Sequence, residues 1–211
     1  MHSDDDGADA TEDGNGAEGT ELEHEPEAAP EKVAELADAC VRFVQKSVGV
    51  ALDFGPDTLS ILDHYVAVAA NEAKGRPSAL DLVARAVAAY FGEVVRRRYE
   101  CWWHEMGDDV ADWVLRFHRV FLTLSPYASA CTALGIEPHE GVMEAGIVIE
   151  DAERDEIAAH LALSPEVTEE EFNLVTTRWD VLQIVVDQLK GRAQQRGLGE
   201  TTYEDSDYED A

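Results

Sequence analysis

Three carboxylates are the best candidates for chemistry in this chain. Asp53, Asp63 and Glu93 are each embedded among large apolar residues. Burial and mutual repulsion drive the pKa values of neighbouring acids apart, which is what a general acid and a general base require. The structural alternative is that Asp53 accepts hydrogen bonds from backbone amides of the adjacent turn and that Glu93 pairs with Arg97 one helical turn later. We favour this alternative and predict no catalytic, cofactor-binding or metal-binding residue.

The histidines support a weaker metal-site hypothesis. The stretch His104–Asp109 begins with His-Glu and ends with two aspartates, but a zinc-protease helix needs a second histidine at position 108. These carboxylates would suit a hard cation, although a solvated helix end is the interpretation we favour. No two of the seven histidines lie four residues apart, so only the tertiary structure could assemble a histidine site. We expect His64 and His118 to be partly buried and hydrogen-bonded.

The remaining candidates favour structural roles. The sequence contains no nucleophile elbow, phosphate-binding glycine loop, dinucleotide fingerprint or kinase motif. Gly92 lies alone in a helical pattern, where glycine costs about 1 kcal/mol relative to alanine, so we expect a packing reason such as the close approach of another helix. The run Arg96–Arg98 is interpreted as an exposed stripe that balances nearby acids, with an anion or an acidic tail as the alternative ligand. The widely spaced Cys40, Cys101 and Cys131 predict buried free thiols in a reducing compartment.

Helical periodicity dominates the elements that must position these residues. Apolar side chains recur at intervals of three and four through several stretches that are bounded by Gly, Pro or capping residues. The third stretch carries an aromatic cluster near its end and is expected to be the central helix. The predicted helices are Glu31–Val48, Asp57–Glu72, Ala79–Glu105, Tyr127–Leu134, Asp151–Leu163 and Thr168–Gln195.

Short runs rich in Val, Trp, Phe and Leu interrupt the helical pattern. Val110–Leu115 and Arg119–Leu124 predict two strands of a small hairpin, and Gly146–Ile149 is a candidate third strand. The predicted fold class is therefore α+β and predominantly helical, with a helical core and a small antiparallel sheet.

The last predicted helix carries a regular apolar seam. It opens with Thr168 and Glu171 at the spacing of a capping box. Its apolar residues then follow at heptad-like intervals, which suits antiparallel packing on the helix Ala79–Glu105 or pairing with the same helix of a second copy. Both a monomer and a helix-mediated homodimer are compatible with this pattern. The seam consists of Phe172, Val175, Trp179, Leu182, Val186 and Leu189.

The charge is strongly acidic and concentrated at the ends. The 211 residues carry a net charge of −29 at pH 7, with eleven acids in residues 1–29 and six in residues 198–211. We predict that both segments are disordered tails, because they hold too little apolar surface to offset the entropy of ordering. Residues 30–197 are predicted to form a single mostly helical domain, where 28 acids against 16 Lys and Arg leave a charge of −12.

This charge narrows the range of partners and locations. An acidic domain repels phosphate backbones, which argues against a nucleic-acid partner. No apolar run reaches the roughly 20 residues of a membrane span, and the N-terminus lacks the pattern of a signal peptide. We therefore expect a cytoplasmic protein with no membrane partner.

Two parts of the sequence resemble a group of small bacterial proteins of unknown function. The first is Leu52–Leu59 with the following Leu62-Asp63, and the second is Ala89–Val94, with a Trp-bearing segment about ten residues further on. The matching positions span roughly residues 50–115, and the tails are not part of the pattern. The resemblance implies a compact α+β domain, and it brings no activity.

The sequence favours a non-enzymatic protein-binding or regulatory module. An acidic surface suits a basic protein partner, and an immunity-like protein that covers a basic toxin is one version of this hypothesis. The alternative is an enzyme with a carboxylate pocket at Asp53, Asp63 and Glu93. Adaptation to high salt is a further alternative, but salt adaptation usually spreads acids over the whole surface rather than concentrating them in tails.

Overall fold

The protein folds into a mostly helical domain with a small antiparallel sheet. The computed structural model describes residues 28–140, 143, 146–165 and 167–209, so nearly all of the predicted N-terminal tail lies outside the described residues. The predicted α+β, predominantly helical fold class is confirmed. The elements are α1 (Glu31–Val48), α2 (Leu59–Glu72), α3 (Pro77–Arg98), β1 (Cys101–His104), β2 (Val114–Phe117), β3 (Leu122–Leu124), α4 (Pro126–Leu134), β4 (Ile147–Ile149), α5 (Asp151–Leu161), α6 (Glu169–Phe172), α7 (Val175–Gln195) and α8 (Asp205–Glu209).

The four strands form an antiparallel meander in the order β1-β2-β3-β4. The predicted hairpin and third strand are confirmed, but the first predicted strand begins later than expected. Val110–Asp112 forms a short 3-10 helix instead, because the side chain of Asp109 accepts a hydrogen bond from the Ala111 amide and caps the turn. One core cluster joins side chains of the sheet to those of α1, α2, α3, α4, α5 and α7.

The predicted helix Ala79–Glu105 is the central helix, but the predicted C-terminal boundary at Glu105 is wrong. α3 packs against α1 and α4 and ends at Arg98, and the chain then becomes extended at Tyr99. The aromatic run that follows forms β1, in which buried residues alternate with half-buried ones. A strand sends successive side chains to opposite faces, so Trp102 and Trp103 reach different surroundings that one helical face would not provide.

The predicted helix Thr168–Gln195 is two helices. The capping box between Thr168 and Glu171 is present, but it opens the four-residue α6, and α7 starts separately at Val175. From Val175 onward the apolar seam is buried within this chain. α7 packs chiefly on α2, α4 and α5, so the predicted packing on the helix Ala79–Glu105 is wrong. Phe172 does not join the buried seam, because 44% of its surface is exposed.

The predicted disordered C-terminal tail is wrong over its described part. Residues 198–209 fold back towards the sheet, and Tyr208 is only 9% exposed. The backbone amide of Tyr203 donates a hydrogen bond to the carbonyl of His118, at 2.8 Å, in the turn between β2 and β3. The folded domain therefore extends beyond the predicted boundary at Gly197.

Candidate functional site

Asp63 caps a helix that is distant in sequence. Its buried carboxylate in α2 accepts hydrogen bonds from the amides of Val175 (2.7 Å) and Thr176 (3.2 Å) and from the Thr176 hydroxyl (2.7 Å). These amides begin α7, where Leu174 offers no capping side chain. Helix N-termini have unsatisfied amides and a partial positive charge, so a carboxylate is stabilised there even when it is buried. Asp63 therefore joins α2 to α7.

Glu93 is the acidic half of a buried ion pair. Arg96 donates from Nε to Oε1 at 2.8 Å and from Nη2 to Oε2 at 2.7 Å, and the Trp103 indole donates to Oε1 at 2.9 Å. The predicted pairing with Arg97 is wrong, since the Arg97 guanidinium lies over the Phe54 ring, 3.8 Å from its centroid. The predicted exposed arginine stripe is also wrong at Arg96, whose side chain is buried with Glu93.

Asp53 shapes a turn, as predicted. Its Oδ1 accepts a hydrogen bond from the Gly55 amide at 2.8 Å. Phe54 adopts a φ of 64°, which is uncommon for an aromatic residue. The Tyr90 hydroxyl holds this conformation by accepting the Phe54 amide at 2.9 Å and bonding to the Thr58 hydroxyl at 2.8 Å. The three predicted carboxylates are therefore tied to three different sets of partners rather than to one another.

Close packing explains the glycine at position 92, as predicted, but the element that packs against it is the strand β1 rather than another helix. A Cβ atom at this position would lie 2.3 Å from Cζ2 of Trp103 and 3.3 Å from Cγ of Pro126. The indole of Trp103 therefore packs directly on the α3 backbone, where it reaches Glu93. Glycine is required because any side chain would fill the space that the indole occupies.

A polar cluster that the sequence does not signal surrounds Asp81 at the start of α3. Its Oδ1 accepts a hydrogen bond from the Tyr127 hydroxyl at 2.7 Å and lies 2.8 Å from Nε2 of His139, and its Oδ2 accepts from Nε of Arg85 at 2.8 Å. Desolvation raises the pKa of Asp81, but these hydrogen bonds outweigh it and leave the pKa below its usual value. The cluster ties α3 to α4 and to the chain before β4. Tyr127 and His139 lie 46 and 58 positions from Asp81, so no pattern of neighbouring residues in the sequence indicates this cluster.

The other histidines have mixed outcomes. His118 is half-buried, and its Nδ1 lies 3.0 Å from the Tyr203 carbonyl, as predicted, whereas His64 is exposed and the prediction for it is wrong. His104 lies in β1 rather than at a helix end, with Nδ1 3.1 Å from Oδ1 of Asp205. In the part of the chain that the structure describes, no three His, Cys, Asp or Glu side chains are grouped to hold a metal ion.

The cysteines agree with the prediction of buried free thiols. Burial raises the pKa of Cys40 to about 12 and that of Cys131 to about 11. Burial also raises the pKa of Cys101. Because the thiolate is the reactive form, none of the three is activated as a nucleophile at neutral pH.

Residues 150–174, which we call the acidic segment, combine uncompensated acids with exposed apolar side chains. Residues 150–171 hold nine acids and one arginine. Asp155, Glu169 and Glu170 are exposed and form no ion pair within the described part of the chain. Leu163 is 81% exposed and Val167 is 49% exposed. The sequence patterns drew attention to the acids of the two ends rather than to this segment, and the exposure of its apolar side chains depends on which helices pack nearby.

A second candidate surface lies where residues 203–209, which we call the C-terminal clasp, cover the sheet. Oδ1 of Asp205 accepts hydrogen bonds from Nε1 of Trp102 at 3.1 Å and from Nη1 of Arg116 at 2.9 Å, and it lies 3.1 Å from Nδ1 of His104. Desolvation raises the pKa of Asp205, but the hydrogen bonds from Arg116 and Trp102 outweigh it and leave the pKa lowered. A single carboxylate oxygen thus accepts from two donors of the sheet and lies beside the His104 ring.

Tyr208 anchors the clasp by completing the sheet. The pairing of β2 with β3 reaches Arg116 and Thr123, and the next pair in register would be Phe117 with Leu122. The Tyr208 hydroxyl occupies this gap. It accepts hydrogen bonds from the amides of Phe117 (3.1 Å) and Leu122 (3.3 Å) and donates to the Phe117 carbonyl (2.7 Å).

The Tyr208 ring is enclosed by side chains of the same surface. It stacks on Phe121 with centroids 4.5 Å apart, meets Trp102 edge to face at 5.8 Å, and lies 5.0 Å from Cζ of Arg116. Burial raises the pKa of Tyr208 to about 12, so its hydroxyl stays protonated and able to donate. We call the receiving surface the clasp site; it comprises the side chains of Trp102, His104, Arg116 and Phe121 and the backbone of Phe117 and Leu122.

Comparison with known proteins found no matching family model, no matching curated sequence and no matching solved structure. The resemblance to small bacterial proteins over residues 50–115 therefore stays a prediction. None of the helices in the described ranges has the length and apolar content needed to cross a bilayer.

Proposed function

We propose that this protein is a non-enzymatic protein-binding module whose acidic segment receives a basic partner. The observation that carries the proposal is the coincidence, in one stretch of chain, of exposed acids without basic partners and exposed apolar side chains. Asp155, Glu169 and Glu170 supply the charge, and Leu163 and Val167 supply apolar surface. Charge complementarity accelerates and orients association, whereas apolar burial supplies much of the affinity.

The distribution of arginines supports this role. Arg85, Arg116 and Arg119 pair with acids on elements outside the acidic segment. Arg192 and Arg196 on α7 pair with Glu153, whose side chain is buried at the base of the segment, and Arg192 also pairs with Glu156. These pairs neutralise Glu153 and Glu156, and Arg154 pairs with Asp151, whereas Asp155, Glu169 and Glu170 form no ion pair within the described residues. A basic partner would therefore meet a negative surface that the chain does not neutralise itself.

The partner we propose is a cationic protein with an apolar side chain among its basic residues. An immunity-like role, in which that partner is a basic toxin, stays a prediction, as does a cytoplasmic location. The carboxylates of the enzyme alternative, Asp53, Asp63 and Glu93, each accept hydrogen bonds from separate sets of donors, so no observation at these residues favours that alternative.

Affinity capture from the native host, with wild-type and charge-reversed protein, tests the proposal. The test variant is E169K/E170K, and the matched control is E35K/D38K, which makes the same charge change at exposed acids of α1. We expect a basic partner that the wild type and the control retain and that E169K/E170K loses. The difference should shrink at about 0.5 M salt, where the Debye length falls to a few ångströms.

A second pair of variants separates apolar contact from charge. L163S removes the most exposed apolar side chain of the segment, and L82S does the same on α3, where Leu82 is 49% exposed. Loss of binding to the purified partner with L163S but not with L82S supports the proposal. Equal loss with E169K/E170K and E35K/D38K, or retention of the partner by E169K/E170K, would contradict it.

A further inference from the structure

We propose that the clasp site is a recognition site for an acidic helical turn of the form Asp-x-x-Tyr on a partner protein. In this structure the chain's own Asp205 and Tyr208 occupy the site as an intramolecular ligand, which the partner displaces. The clasp site adjoins the acidic segment, since Phe121 lines a pocket with Glu150 and Glu153, but it shares no residue with that segment, so the inference does not depend on the proposed function.

The chemistry of the ligand is defined by the residues that hold the clasp. Asp205 and Tyr208 lie three residues apart in α8, so they project from neighbouring positions on one helical face. The site offers the carboxylate two donors, from Trp102 and Arg116, with the His104 ring beside them, and offers the tyrosine an aromatic enclosure. An amide at the first position would lose the charge that Arg116 pairs with, and a phenylalanine at the second would leave the gap in the sheet unfilled.

The clasp is a replaceable ligand because most of its side chains are exposed to solvent. Asp205 is 53% exposed, and the intervening Ser206 and Asp207 are also exposed. Only Tyr208 is buried, and its hydroxyl bonds to backbone groups that any tyrosine would satisfy equally.

The clasp also leaves one donor of its site unused. Nε of Arg116 is buried and makes no hydrogen bond within the described residues, while Oδ1 of Asp205 accepts from Nη1 of Arg116 and from Trp102. Guanidinium groups bind carboxylates most strongly through two parallel hydrogen bonds. Arg116 gives Asp205 one hydrogen bond, from Nη1, so the clasp does not use the full binding capacity of this guanidinium.

Electrostatics adds a second reason for release. The clasp carries Glu204, Asp205, Asp207 and Glu209 in a chain whose net charge is −29. Arg116 is the cation that pairs with it, while the acidic remainder of the domain repels it. When the clasp detaches, its acids move away from the other acids of the domain, and this lowers the electrostatic repulsion. The docked state is therefore favoured mainly by the high effective concentration of a ligand that is linked to its site.

The experiment measures binding of a labelled peptide to the full chain by fluorescence anisotropy. The probe has the sequence of residues 198–209, and the protein is either wild type or the opened variant Asp205→Asn/Tyr208→Ala. A tethered ligand competes at an effective concentration in the millimolar range, so we expect at least about tenfold tighter peptide binding to the opened variant. Replacing the aspartate of the peptide with asparagine should weaken binding, and so should replacing the tyrosine with phenylalanine.

Controls distinguish the site from non-specific binding. Arg116→Ala in the opened variant should abolish peptide binding, while Arg154→Ala, at an exposed arginine of α5, should leave it unchanged. A folded opened variant that does not bind the peptide overturns the proposal. A concentration-dependent dimer of the wild type that Tyr208→Ala abolishes also overturns it, because the ligand would then be the clasp of a second copy.

Hydrogen exchange keeps the proposal falsifiable if the opened variant fails to fold. In the wild type, the Leu122 amide donates to Tyr208 and should exchange through detachment of the clasp, faster than the amides of α3. Excess peptide with the sequence of residues 198–209 should slow that exchange by occupying the site. Protection of Leu122 equal to that of the most stable core amides would show that the clasp does not detach, and the proposal would fail.

Discussion

Replacing Gly92 with alanine should destabilise the protein although it improves helix propensity. The substitution gains about 1 kcal/mol because alanine is the better helix former. The new Cβ would lie 2.3 Å from the Trp103 ring, which is buried and donates to Glu93 at 2.9 Å. Overpacking of this kind costs roughly 1–3 kcal/mol, and displacing the indole from a charged acceptor costs about 1.5–3 kcal/mol more. We therefore expect a net loss of about 1.5–5 kcal/mol, a large fraction of a domain's stability.

Gly191 provides the matched control, because it lies in α7 and a Cβ there would meet nothing within 4 Å. Gly191→Ala should increase the free energy of unfolding by up to about 1 kcal/mol, the sign opposite to that at Gly92. Urea denaturation followed by circular dichroism measures both. In a Trp103→Phe background, which lacks the outer edge of the indole, Gly92→Ala should cost less. A Gly92→Ala protein as stable as the wild type would refute this packing argument.

Three further predictions follow from the site geometry. Asp63→Ala should lower the free energy of unfolding by about 2–3 kcal/mol, because three donors at the start of α7 lose their acceptor, and urea denaturation should show Asp63→Asn to be intermediate. The pKa of Asp205 is lowered in the folded state, so its contribution to docking is fully present above the unfolded pKa of about 3.9 and is lost as the pH falls through the lower folded value. The indole resonance of Trp102 should report this loss in an acid titration, and Asp205→Asn should remove the dependence. A thiol reagent at about pH 8 should leave Cys40, Cys101 and Cys131 unmodified in the native protein, because burial raises the pKa of each thiol. The same reagent should modify all three in urea. Rapid labelling of the native protein would contradict the buried placement.

Sequence patterns predicted correctly those elements whose ends are set by residues nearby in the chain. Glu31–Val48 is a helix with the predicted bounds, because its apolar face repeats at helical spacing and Gly49 ends it at a φ of 83°. The buried cysteines and the turn at Asp53 were also predictable, since burial follows the periodicity and the turn bond spans only two residues.

The errors arose where contacts with distant residues decide the conformation. The aromatic run at Trp102 and Trp103 fits a helix by composition, but the sheet separates the two side chains between the core and the clasp. Glu93 selected Arg96 rather than Arg97 because the buried Trp103 completes that site. Both choices depend on chain segments that periodicity does not relate.

The amino-acid sequence alone determined the helical class, the small sheet, the buried thiols and the acidic charge, because composition and spacing act through neighbours along the chain. Only the tertiary structure decided what the carboxylates and the C-terminus do. Asp63 meets the start of α7 across 112 positions, and Tyr208 meets Phe117 across 91. The acids around Tyr208 predict a solvated tail when they are considered locally. The segment is ordered instead by the sheet, where the unpaired backbone of Phe117 and Leu122 binds the Tyr208 hydroxyl and side-chain donors bind the Asp205 carboxylate.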